Sequence, residues 1–279
     1  MRVLTLNLMQ KSPVAGREER LERIAELVKS RHDAGEPIDA LLLQEGCSGV
    51  TVGTMDSIGD LAARLGAKGL RYYVRSEPCF GVPNFLVFRV GVLTRADVLS
   101  SDGNGLECRT GDWFDDFPLP GRKRVVGLST STPMGRVNLF SVHLSSGGSQ
   151  GDRIRQVRDL IQFVENFGKE HPAEVVIVGG DMNTTPTTDA YQQLSAAWAD
   201  SYAAAATSSP GHTFNLPGNP HCKGYVGDPR RIDFIFVKGE SIRIERSDVV
   251  FNSDGWWVSD HCGVLTTLKI RVSSPLPRF

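Results

Sequence analysis

Short apolar β-rich runs recur along almost the whole chain with amphipathic helical stretches threaded between them, and this alternation constrains the fold more than any other feature. Strand patterns fall at residues 3–8, 40–43, 71–74, 85–93, 124–129, 137–144, 175–178, 232–237 and 263–270. A helix is expected over 17–31, where Leu21, Ile24, Leu27 and Val28 share a face. Another is expected over 152–167, where Ile154, Val157, Leu160, Ile161 and Val164 do the same. Shorter helical patterns cover 55–65 and 188–199. No Pro- or Ser-rich linker interrupts the series, so residues 1–279 are expected to form one α/β domain in which two sheets pack together with helices outside.

Composition removes several function classes. Hydrophobic residues make up 40% and charged residues 23%, which supports a sizeable core and excludes a disordered or fibrous chain. Lys plus Arg number 31 against 32 Asp plus Glu, so no whole-molecule basic field marks a nucleic-acid binder, although a local basic patch remains open. Cys47, Cys79, Cys108, Cys222 and Cys262 are widely spaced and odd in number, which points to free thiols rather than a disulfide framework or a zinc ribbon. No run reaches the roughly 18 apolar residues of a membrane span, and the first residues lack the pattern of a secretory signal. The expectation is a soluble, cytoplasmic protein with no obligate protein partner. Two long loops are expected, over 100–121 and 207–229; loops of that length in a compact domain are functional or disordered.

Polar residues stand repeatedly at the ends of the apolar strands. They are Asn7 in LTLNLM, Gln44 and Glu45 in ALLLQEG, His143 in LFSVHLSS, Asp181 and Asn183 in VVIVGGDMNTTP, Asp233 in RRIDFIFV, and Asp260 and His261 in WVSDHCGV. Carboxylates, amides and histidines gathered at strand ends can build a hard-cation site with acid–base groups beside it, a combination suited to phosphate chemistry. Taken singly, each has a plainer reading. Asn7 could be a satisfied buried amide, His143 a core histidine, Asp181 or Asn183 an Asx-turn or helix cap, and Asp233 a partner of Arg230 or Arg231. There is no G-x-S-x-G, and Cys47 and Cys262 lack an activating arrangement, so a Ser or Cys nucleophile fits less well.

Together these six blocks, in this order from Asn7 to His261, resemble the endonuclease/exonuclease/phosphatase superfamily to which deoxyribonuclease I belongs. The resemblance implies a four-layer α-β-β-α sandwich of two packed mixed sheets with helices outside. It implies a phosphodiester hydrolase that uses water as nucleophile and Mg²⁺ or Mn²⁺ as cofactor. Glu45, with Asn7 and Asp260, would belong to the metal site. Asp181 would activate water, Asn183 and His143 would hold phosphoryl oxygens, and Asp233 would orient His261. A catalytically silent binding protein on the same fold would normally have lost some of Glu45, Asp181, Asn183 and His261, and none is lost.

Basic residues cluster near these blocks at Arg122, Lys123 and Arg124, at Arg153, Arg155 and Arg158, and at Arg230 and Arg231; they are either solvated faces or an anion-attracting rim. Arg153, Arg155 and Trp256 are the expected substrate contacts, Trp256 by stacking on a base or covering a headgroup. Nucleic acid is the favoured phosphodiester, ahead of a phospholipid or another small phosphodiester or monoester.

Overall fold

The computed structural model describes residues 1–10, 16–50, 56–82, 85–106, 123–147, 149–205, 208–253 and 255–271. The first sheet is built from β1 (Arg2–Asn7), β2 (Ala40–Ser48), β3 (Tyr73–Val82), β4 (Leu86–Thr94), β11 (Ile242–Val250) and β12 (Gly263–Ile270), in the order β11-β12-β1-β2-β4-β3. The second is built from β5 (Asp97–Gly105), β6 (Arg124–Thr132), β7 (Gly135–His143), β8 (Val175–Asp181), β9 (Ala199–Asp200) and β10 (Asp233–Lys238), in the order β5-β6-β7-β8-β10-β9. Each sheet has one parallel pair near its middle, β1 with β2 and β7 with β8, and antiparallel neighbours elsewhere. A parallel pair needs a crossover, and α1 (Arg17–Asp33) and α3 (Gln150–Glu170) lie on those two connections. With α2 (Ser57–Ala67) and α4 (Asp189–Ala197) they form the outer layers of a four-layer α-β-β-α sandwich.

Period-two alternation sorts the strand residues into these layers. Leu4, Leu6, Leu41 and Leu43 pack against Ile24 and Val28 of α1 and Ile58 and Leu61 of α2. Phe140, Val142, Phe234 and Phe236 pack against Val157, Leu160 and Phe167 of α3. The residues between them in sequence, Val3, Leu42, Val137, Leu139, Val175, Ile177, Ile235 and Val237, form the dry core where the sheets meet. Toward the strand ends this inner face turns polar: Gln44 donates through Nε2 to Ser141 Oγ across the sheets at 3.1 Å, and Ser141 donates to Leu43 O.

Helix ends follow local chemistry. Ser149 and Asp152 form a reciprocal capping box at the start of α3, and Asp56 accepts the Ile58 N–H at the start of α2. α1 carries Glu18 and Glu19 in its first turn and Arg31 and His32 in its last, favourable at both ends of the helix dipole.

Three strands escape the sequence patterns. β5 and β11 are sheet edges with polar sequences, DVLSSDGNG and IRIERSDVV, and β9 has two residues. Residues 100–105, expected in a long loop, therefore belong to β5, while 107–122 lie outside the described residues. Cys47, Cys79, Cys222 and Cys262 are buried and form no disulfide among the described residues; Cys108 is outside the described residues. Among the described residues no helix is long and apolar enough to cross a membrane.

Gly179 lies where the sheets are in close contact beside the polar end. A Cβ there would lie 2.6 Å from Leu42 Cδ1 in the inter-sheet core. Gly179→Val should lower unfolding free energy by about 1–3 kcal/mol through overpacking, read as a lower urea midpoint at unchanged slope. An unshifted midpoint would mean that the sheets are not in contact there.

Candidate active site

Strand register assembles the site. β7 pairs with β8 so that His143 stands beside Asp181, and β8 pairs with β10 so that Asp181 stands beside Asp233, which places the three in one row across the second sheet. In the first sheet Asn7 ends β1 beside Gln44 of β2. The β2–β4 register then shifts between Leu43 and Gly46, and Glu45 sits in this bulge with φ 48°. Gly46 is needed beside it, because a Cβ would lie 2.5 Å from Ile58 Cγ1. Asn183 and Met9 also have left-handed backbones, φ 46° and 47°, a conformation that costs non-glycine residues about 1 kcal/mol or more and clusters at functional sites.

Asp181 is the centre of the arrangement. It is 1% exposed, and its Oδ2 accepts from Asn7 Nδ2 of the opposite sheet at 3.1 Å. The same oxygen is 3.4 Å from His143 Nε2 and 3.7 Å from His261 Nε2, while Oδ1 accepts the Asn183 N–H at 3.0 Å. Burial raises the Asp181 carboxyl above the ordinary carboxylate range; the nearby His261 opposes the rise and Asp233 adds to it.

His261 is fixed from the other side. Its Nδ1 lies 2.8 Å from Asp233 Oδ2, which also accepts from Thr213 Oγ1 at 2.6 Å; the Thr213 hydroxyl in turn accepts the N–H groups of Ile232 and Asp233. Burial alone would lower the His261 pKa, but Asp233, Asp181 and Asp260 together raise it to about 10. Asp233 is therefore the partner of His261 and not of Arg231, which pairs with Asp200 at 2.6 Å.

Glu45 and Asp260 line the same cleft. Glu45 Oε2 is buried with no hydrogen-bond partner, an orphaned carboxylate oxygen of the kind a hard divalent cation takes. Asp260 accepts from Tyr225 Oη and Ser259 Oγ, and the Tyr225 phenol is raised by burial and then by the Asp260 and Glu45 carboxylates around it. Asn7, grouped by sequence with the metal site, donates through Nδ2 to Asp181 and accepts the Met9 N–H on Oδ1. Among the described residues, Asp181, Asp233 and His261 form the cluster whose ligand atoms lie within 4.8 Å of one another. Its Nδ1–Oδ2 contact already joins His261 to Asp233, which suits proton chemistry.

The cleft has a volume of about 450 Å³. One basic residue from each of three sequence clusters reaches its wall: Lys123, Arg153 and Arg230. Arg155 and Trp256 are not brought there; Arg155 pairs with Asp152, and Trp256 is exposed elsewhere. Arg122 is outside the described residues. Sequence reasoning did not single out Thr213, Phe214 and Tyr225, which come from the 208–229 segment. That segment bridges to Arg230 and His261 through Phe214, whose ring lies 4.8 Å from that of His261. For Thr213 and Phe214 the stretch GHTFNLPGNP was the available signal, without any strand periodicity to show which side chains turn inward.

The model of the Endonuclease/Exonuclease/phosphatase family matches residues 4–261. No curated protein matches by sequence. An endonuclease/exonuclease/phosphatase family protein from Leptotrichia buccalis C-1013-b superposes with a TM-score of 0.73 at 18% identity, covering 97% of this chain and 100% of that one. The endonuclease/exonuclease/phosphatase from Bacteroides vulgatus gives 0.72 at 17% identity, covering 97% and 98%. D. rerio TDP2 complexed with single strand DNA product gives 0.66 at 17% identity, covering 96% and 98%.

Because the partners of His261 raise it from an ordinary 6.5 to about 10, their contribution to stability is complete below pH 6.5 and is lost as pH rises through about 10. In metal-free protein, NMR should therefore find the His261 ring protonated at pH 8. Asp233→Asn should lower its titration midpoint by at least about one unit. A wild-type midpoint at the ordinary value would rule out the ion pair.

Proposed function

The chain belongs to the endonuclease/exonuclease/phosphatase family, whose members are hydrolases acting on phosphoester bonds, and from that premise we propose that it hydrolyses phosphodiesters of nucleic acid with water as nucleophile and Mg²⁺ or Mn²⁺ as cofactor. The observation that carries this reading is the convergence, in one cleft, of Asp181, a His261–Asp233 pair and an unpartnered Glu45 carboxylate oxygen beneath Lys123, Arg153 and Arg230.

A phosphodiester repels an incoming oxygen nucleophile, so its hydrolysis needs positive charge on the phosphoryl oxygens, a base for water and stabilisation of the leaving alkoxide. Glu45 and Asp260 are the residues that would hold the divalent cation, which when bound supplies Lewis-acid neutralisation of phosphoryl charge. Asp181, raised above an ordinary carboxylate and turned by Asn7, accepts the proton of the attacking water. His261, held protonated by Asp233, donates to a phosphoryl oxygen as its negative charge grows. His143 and Asn183 line the same cleft, and Asn183 is anchored through Nδ2 to Leu144 O.

Nucleic acid is favoured over a phospholipid because three cations separate in sequence, Lys123, Arg153 and Arg230, line the cleft together with the aromatic rings of Phe214 and Tyr225, the combination of phosphate and base contacts that a nucleic acid takes. The structural likeness to a TDP2 whose complex holds a single-strand DNA product supports the same choice.

A chelator should abolish hydrolysis and Mg²⁺ or Mn²⁺ restore it. Asp181→Asn should lower kcat by about 10²–10⁴ with the thermal midpoint little changed. Full turnover after metal removal would end this reading. On single-stranded DNA, wild-type cleavage should weaken steeply with added salt, and Arg153→Glu should weaken cleavage and make that salt dependence shallower, while hydrolysis of bis(p-nitrophenyl) phosphate stays near wild type; Arg155→Glu should change neither. Salt-insensitive activity confined to sphingomyelin or to small esters would move the substrate to those classes.

A further inference from the structure

One buried charge near the cleft has no part in the chemistry above. Arg20, in the first turn of α1, is 3% exposed and forms no ion pair among the described residues. Its forked end is filled by backbone carbonyls: Nη1 donates to Leu8 O at 3.1 Å and Val258 O at 3.0 Å, and Nη2 donates to Met9 O at 2.9 Å. Its Nε is buried without a partner, so the side chain is held there at some cost. Burial lowers its pKa to about 10 against the opposing pull of Asp260, and at neutral pH it is a cation.

The carbonyls it grips belong to the chain that follows β1, hydrogen-bonded beside Glu45, and to the chain that leads into Asp260. Residues 8–10 follow Asn7 and run beside the end of β2, where Leu8 N–H donates to Gln44 O and Gln10 N–H to Glu45 O. Between them, left-handed Met9 accepts the Asp260 N–H on its Sδ at 3.3 Å. Val258 stands two residues before Asp260. We propose that Arg20 is a positioning residue for this site: its fork ties the chain after β1 to the chain before β12 and thereby sets the spacing of Glu45 and Asp260. This rests on the reading of those two carboxylates as the cation site. A planar fork with several fixed donors can bridge two chains, whereas the point charge of a lysine cannot span the same carbonyls.

The test compares Arg20→Lys and Arg20→Met with wild type, titrating folded, metal-free protein with Mn²⁺ alone by water-proton relaxation and measuring amide exchange at Gln10 and Asp260. Residues that orient metal ligands cost about 10- to 100-fold in metal affinity when replaced. Arg20→Met should weaken Mn²⁺ binding by that amount and speed exchange at both amides. Arg20→Lys should fall between the two. On bis(p-nitrophenyl) phosphate at saturating Mn²⁺, kcat should drop with KM little changed. If Arg20→Met does not fold, Arg20→Lys decides the matter. Wild-type Mn²⁺ affinity and wild-type exchange in a folded variant would overturn the proposal. Glu45→Gln serves as the control: should it bind Mn²⁺ as wild type does, the assignment of the cation site has failed. Exchange at Gln10 and Asp260 then judges Arg20 alone, and an unchanged rate refutes it.

Discussion

The burial of Asp181 between two sheets is the constraint on which the site depends. A carboxylate 1% exposed loses the hydration that keeps it ionised, and it needs donors on both oxygens. Asn7 at the end of β1 and the Asn183 backbone donate to its two oxygens, and the ring nitrogens of His143 at the end of β7 and His261 before β12 lie 3.4 Å and 3.7 Å from Oδ2. No single element can supply them. They meet because the inner faces of the sheets pack in one register, with Gly179 allowing Leu42 to approach. The Asn7–Asp181 bond therefore joins the two halves of the sandwich where the chemistry is placed.

The sheets also share a plan. The order β11-β12-β1-β2-β4-β3 corresponds strand for strand to β5-β6-β7-β8-β10-β9, with a parallel pair third and fourth in each. Asn7 and Glu45 stand at the ends of one parallel pair, His143 and Asp181 at the ends of the other. A parallel pair with its crossover helix delivers two strand ends to the same edge of a sheet, and packing two such units face to face gathers four. No sequence repeat marks this correspondence, because only the hydrogen-bonding order and the direction of the strands are repeated.

Much of this was legible in the sequence, for a physical reason. Strands buried on both faces must be apolar, so in VVIVGGD and ALLLQEG the change to polar residues announces the cleft: Asp181 and Glu45 line it, while Gln44 turns to Ser141 between the sheets. Edge strands carry no such signal: IRIERSDVV is charged because one side faces solvent. Thr213 and Tyr225 were hidden for another reason, since a loop has no period and its inward side chains are chosen by tertiary contacts. Arg153 and Arg155 differ by two positions on a helix, which turns them about 200° apart. Composition grouped them, but one faces the cleft and the other pairs with Asp152.

The proposed division of labour in the cleft, with Glu45 for the cation and Asp181, Asp233 and His261 for proton and charge, is tested most directly by anomalous diffraction from crystals soaked in Mn²⁺. The account predicts a peak about 2.1 Å from Glu45 Oε2, with the His261 Nδ1–Asp233 Oδ2 contact of 2.8 Å retained. A peak lodged among Asp181, Asp233 and His261, with Glu45 uncoordinated and that contact broken, would contradict it.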